Sequence, residues 1–164
     1  MALVTVFAAL SLSACSLAQV GRVGVGVDRN GDPVLVMASC EGPARNIQVT
    51  SALTDTDDET PTWSNGLELS NPIPESSDPA AVSLVDPDPR WVATEPASEF
   101  RVDRVYSVRA WPTTEATLGA VDFTMTQLAE VGPGEVLRNS DDPEGYRIEP
   151  VADFIDSSLA RCGK

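Results

Sequence analysis

Few kinds of side chain in this sequence can do chemistry. The 164 residues include no histidine, which removes Ser-His-Asp and Cys-His catalysis, histidine-bearing zinc sites and histidine proton shuttles. No serine stands in a Gly-x-Ser-x-Gly turn, and Lys164 is the single lysine. What remains is carboxylate: 25 Asp and Glu face 11 Lys and Arg, a formal net charge of −14. Asp55, Asp57, Asp58 and Glu59 could offer hard oxygen ligands to calcium, although a solvated acidic loop accounts for them as well. Asp28-x-Asn30-x-Asp32 opens like a calcium loop, but Pro33 stands where that loop needs glycine and Ser39 where it needs the closing glutamate. A hairpin turn is the expectation there. Asp86-Pro87-Asp88-Pro89 reads as a stiff connection. A glycosidase-like carboxylate pair would want aromatic platforms, and aromatics are 5% of the chain. Of Trp63, Trp91 and Trp111, Trp111 falls on the nominally outward face of its strand and precedes Pro112. It is therefore the candidate exposed binding aromatic, with coverage of a core edge as the alternative. No catalytic residue, metal ligand or cofactor is assigned from these patterns.

Charge narrows the partners. A surface this acidic repels phosphate backbones, so nucleic acid is not an expected partner. It also repels anionic lipid headgroups, so membrane attachment would have to come from a lipid and not from a basic patch. Arginine supplies all but one of the 11 basic residues, which reads as a GC-rich genome.

Cysteine is the other reactive type, at Cys15, Cys40 and Cys162. Ala2 to Leu12 is uncharged and about as long as a signal-peptide core, and Leu12-Ser13-Ala14-Cys15 follows it. This stretch resembles the lipobox of bacterial lipoproteins, in which diacylglycerol joins the cysteine thiol and the signal is removed just before it. The resemblance implies a signal peptide over 1–14, a lipidated tether over 15–19 and one β-rich domain over 20–164. It also implies an extracytoplasmic location, anchored to the outer face of the cell membrane, as in the small surface lipoproteins of high-GC Gram-positive bacteria. A buried strand or helix over residues 3–12, or an ordinary cleaved signal, would also fit the apolar run, which is too short to span a bilayer. With Cys15 lipidated, Cys40 and Cys162 remain as an even pair expected to oxidise outside the cell. A bridge between them would stabilise by about 5 kcal/mol at most in the chain-entropy model.

The elements that would position these groups are mostly strands. Val23, Val25 and Val27 alternate with Gly24 and Gly26, Asp28 to Asp32 has hairpin chemistry, and Pro33 to Cys40 returns apolar on both faces. The Gly-x-Gly spacing is not a phosphate loop, because it lies in a strand pattern; its glycines admit a neighbour's bulk. Further strands are expected at Asn46–Leu53, around Trp63 to Leu69 with an Asn65-Gly66 turn, at Val82–Leu84, Trp91–Ala93, Phe100–Trp111, Thr117–Thr126 and Glu135–Arg138. Thr126 would cap one helical turn. After Pro150, the residues Val151, Phe154, Ile155, Leu159 and Cys162 share a helical face that could present Cys162 to Cys40.

The order from Asp103 to Ala110 is similar to a late strand of immunoglobulin-like sandwiches, where a tyrosine, here Tyr106, anchors a corner. The expected fold is mainly β: an antiparallel immunoglobulin-like sandwich with a short C-terminal helix, with a small barrel as alternative. The expected function is a non-enzymatic binding or structural role at the envelope. The bilayer would be held through Cys15, and an envelope protein or glycan would be the partner. A carboxylate-dependent hydrolase and a calcium-stabilised adhesion module are the alternatives.

Overall fold

A computed structural model describes residues 17–54, 61–75, 81–95 and 99–162. Among the described residues twelve strands and two helices follow in chain order. The strands are β1 (Ala18–Gln19), β2 (Gly21–Val27), β3 (Pro33–Ser39), β4 (Asn46–Leu53), β5 (Ser64–Ser70), β6 (Ala81–Ser83), β7 (Val92–Glu95), β8 (Arg104–Trp111), β9 (Ala116–Thr117), β10 (Ala120–Thr124), β11 (Glu135–Asn139) and β12 (Tyr146–Pro150). Helix α1 (Met125–Leu128) follows β10, and α2 (Val151–Leu159) follows β12.

Hairpins build two five-stranded sheets, ordered β12-β11-β2-β3-β6 and β10-β8-β4-β5-β7. Each sheet is antiparallel. In immunoglobulin terms β2, β3 and β6 take the A, B and E places, and β5, β4, β8 and β10 take the C′, C, F and G places. The β11–β12 hairpin extends the first sheet beyond β2. The sheets pack face to face over Val25, Leu35, Ile47, Leu69, Val108 and Phe123, all fully buried. This is a sandwich with a short C-terminal helix, and both sheets keep edge strands instead of closing into a barrel.

Period-two patterning explains most of the register. Val23 and Val25 of β2, and Leu35 and Met37 of β3, face the inter-sheet core. The opposite face of β3 is apolar too, because α2 covers it: Val36 and Ala38 form a second small core with Val136 and Phe154. Gly24 is the relief that permits this packing, since a Cβ there would collide with Val136 Cγ2 and lie 3.0 Å from the Leu137 carbonyl oxygen. The β2–β3 turn has Gly31 at φ +86°, and the Asp28 carboxylate accepts from the backbone of Asn30 at 2.7 Å and Asp32 at 3.0 Å.

Tyr106 makes the expected corner. Its hydroxyl oxygen accepts the Arg101 backbone N–H at 2.5 Å, and its ring packs 4.8 Å from Phe100 and 5.5 Å from Phe123, centroid to centroid. The strand itself begins at Arg104 and not at Phe100, because the corner turns the chain through residues 102–103.

Three local expectations are corrected. Asn65-Gly66 forms no turn; it lies inside β5 beside a register shift, where Gly66 lets the Val49 carbonyl approach to 3.0 Å of a Cβ position. The α1 cap is Thr124 and not Thr126: its hydroxyl accepts the Gln127 N–H, and Gln127 reaches back to the Thr124 N–H, a reciprocal capping box. Strand β12 is absent from the expected elements altogether.

Cys40 and Cys162 form a disulfide with 5.5 Å between their Cα atoms, joining the end of β3 to the turn after α2.

Candidate functional site

The residues singled out by chemistry fall into three groups. Cys15, the 1–14 leader and the acidic run from Asp55 to Glu59 lie outside the described residues. The tether assigned to 15–19 is described only from Leu17, and Ala18 and Gln19 pair in parallel with Ala116 and Thr117. No helix among the described residues is long and apolar enough to cross a membrane.

Several acids within the described residues have local partners. Asp28 closes its own turn. Hydrogen bonds from the Arg90 side chain hold Asp88 below the ordinary carboxylate range, and those from Arg101 do the same for Asp103. Those shifts run opposite to what a general acid needs. No group of three or more metal-binding side chains occurs among the described residues.

Trp111 ends β8 half-buried, above the buried Pro112. It lines a shallow depression of about 290 Å³ with Leu17, Ile47, Gln48, Glu68 and Thr113. Its ring is thus a wall of that depression and is not one of the side chains packed on either core.

A site that charge counting conceals lies at the other end of the first sheet. A cleft of about 440 Å³ opens between β2, the β11–β12 hairpin and the end of α2, and four arginines line it: Arg22, Arg138, Arg147 and Arg161. Alternation places the first three on the α2-covered face of the sheet. Arg22 stands beside the inward Val23, Arg138 beside the inward Leu137, and Arg147 directly opposite Arg138 in the β11–β12 ladder. Like charges directly opposed across a ladder destabilise it. This pair is compensated by carboxylates. Arg138 donates to Glu149 at 2.6 Å, with side chains only 15% and 16% exposed, and Arg147 donates to Asp142 at 2.9 Å. The Ser140 hydroxyl also donates to Asp142 at 2.7 Å and, with Arg147, holds that carboxyl below its ordinary range.

Arg22 and Arg161 have no such compensation: neither side chain makes an ion pair or hydrogen bond within the described residues. Burial lowers the proton affinity of Arg22, and repulsion from Arg161 and then Arg138 adds to it, against smaller opposing contributions from Glu149 and Asp141. A smaller hollow of about 220 Å³ adjoins the cleft through Gln19, Arg22 and Arg161, and reaches Cys40 and Ser158. The disulfide holds Arg161 at this place, since Cys162 is its chain neighbour and is bonded to Cys40. Guanidinium groups disposed this way can grip an oxyanion through paired N–H donors.

The cleft is not visible in the sequence, where Arg138 and Arg147 belong to a strand pair of which only the first has a strand pattern, and Arg161 lies far from Arg22. The one signal is the arginine excess, which taken alone reads as genome composition. In comparisons with known proteins, no family model, no curated protein and no solved structure matches this chain.

Proposed function

We propose that this protein is a lipid-anchored, non-enzymatic binding module at the outer face of the cell membrane, held there through Cys15. The observation that carries the reading is the Cys40–Cys162 disulfide. It uses two of the three cysteines, leaves Cys15 alone in its lipobox-like setting, and belongs to an oxidising compartment. An immunoglobulin-like sandwich suits such a role, because it presents loops and edge strands on a rigid frame. The partner is an envelope protein or glycan. Two acyl chains on one cysteine give the firm attachment that one chain does not.

The test is the intact mass of the protein recovered from the membrane fraction of a lipidating bacterial host, with alkylation before and after reduction. The expected species begins at Cys15, carries a diacylglyceryl increment, and gains two alkyl groups only after reduction. An unprocessed, soluble chain with three thiols labelled without reductant would overturn the anchor and the compartment together.

A further inference from the structure

We propose that the cleft between β2, the β11–β12 hairpin and the end of α2 is a phosphate-binding site whose grip is formed by Arg22 and Arg161. In a chain of net charge −14, four of its arginines converge on one concavity. Two of them are matched by carboxylates at 2.6 and 2.9 Å, and those pairs account for their placement. Arg22 and Arg161 have no match within the described residues, yet they share the walls of two adjoining hollows. Two neighbouring guanidiniums repel, and Arg22 registers that repulsion from Arg161. They stay together because one is on a central strand and the other is fixed by the Cys162–Cys40 bond. Within the described residues no carboxylate pairs directly with either one; an external anion would. Two uncompensated cations match a phosphate group carrying up to two negative charges, with tetrahedral oxygens that meet two planar donors from different directions. The exposed Asp141 on the cleft wall works against the anion and sets the affinity below what the arginines alone would give.

The phosphate has two sources: a free or small-molecule phosphate, or the headgroup of an anionic phospholipid. The second source rests on the anchor reading above. Cys15 precedes the cleft residue Gln19 by four positions, so a lipid on Cys15 would hold the cleft within about 14 Å of extended chain from the bilayer. The site itself does not depend on that reading.

The test uses the full chain carrying Cys15→Ser, so that no lipid attaches, titrated with inorganic phosphate against chloride at matched ionic strength and followed by calorimetry. Arg22→Ala and Arg161→Ala should each weaken phosphate binding by about tenfold or more. Arg22→Lys should fall between them and the parent, and Asp141→Asn should tighten binding. Arg29→Ala, on the exposed β2–β3 turn, should leave it unchanged. Thermal melts of each variant separate lost binding from lost folding. No phosphate binding by the parent, or equal losses from Arg29→Ala and Arg161→Ala, would overturn the site. A second arm measures co-sedimentation of the same chain with phosphatidylglycerol–phosphatidylcholine vesicles. Arginine-dependent sedimentation identifies the headgroup as the source, and phosphate binding without sedimentation identifies a small-molecule phosphate. Because this chain is never lipidated, failure here leaves the anchor test standing, and failure of the anchor leaves this result standing.

Discussion

Tyr106 shows how much one side chain can fix. Its ring belongs to the inter-sheet core while its hydroxyl reaches back to the Arg101 backbone, so one residue sets both the packing and the entry angle of β8. Tyr106→Phe keeps the ring and loses the bond, and should cost about 1 kcal/mol, read as a lower urea midpoint with an unchanged slope. Gly24 acts in the opposite way, by what it lacks. Gly24→Val would drive a side chain into Val136 and the Leu137 carbonyl, and should cost about 1–3 kcal/mol by the same measurement. Both residues are legible in the sequence: Tyr106 from its place in an alternating strand, Gly24 from a glycine in a valine-rich one. Arg22 is not, because an arginine next to a valine run reads as a solvated strand face. Its meaning depends on Arg138 and Arg161, which lie more than a hundred positions away and meet it only through the fold.

At the scale of elements, legibility follows burial. Strands β4 and β8 alternate because one face meets the core, and β2 and β3 stand out as valine-rich runs because both faces are covered. The helical spacing of Val151, Phe154 and Ile155 marks the stripe that α2 lays on the first sheet. The expected Leu159 is missing from that stripe because it is exposed, and Ser158 is buried instead. Strand β12 escapes because Tyr146-Arg-Ile-Glu-Pro150 has no fully buried residue and lies at a sheet edge; its ladder with β11, the Arg138–Glu149 pair and the partly buried Tyr146 and Ile148 against the core hold it. Asn65-Gly66 misleads because the glycine makes room for the Val49 carbonyl and not for a reversal of the chain. Helix α2 depends on Phe154, fully buried between the sheet and its own helix. Phe154→Ala should cost about 3–5 kcal/mol. Reduction of Cys40–Cys162 should cost up to about 5 kcal/mol, seen as a drop in urea midpoint that reoxidation restores. It should also weaken phosphate binding, since Arg161 then loses its fixed position.

Across the whole molecule, charge sets the response to pH and salt. Asp88, Asp103 and Asp142 have folded-state proton affinities lowered by hydrogen bonds from Arg90, from Arg101, and from Ser140 with Arg147. The stability they contribute is therefore present above the unfolded carboxylate value, about 3.9, and is lost as pH falls through their lower folded values. Self-repulsion from the net −14 acts the other way, because it is relieved as carboxylates first take up protons. The urea midpoint should hold or rise slightly from pH 7 toward about 4.5 and then fall below about 4. At pH 7, added salt should raise it by screening the like charges. A midpoint that fell steadily from pH 7 would contradict this account, because the paired acids do not titrate in that range.

The disulfide also shortens the line along which the molecule can be pulled. Cys40 lies beside Val20, to which its backbone N–H donates at 2.8 Å, and Cys162 is bonded to Cys40. Between residues 17 and 162 the shortest covalent route therefore runs through β1, β2, the Asp28–Asp32 turn and β3 alone. That covalent route leaves out β4 to β12 and both helices, although β1 is hydrogen-bonded to β9 along its length. Tension applied across those two points meets the β2–β3 hairpin at its open end, where the Val20–Cys40 bond and then the Gly21–Ser39 pair would separate in succession, like the teeth of a zip.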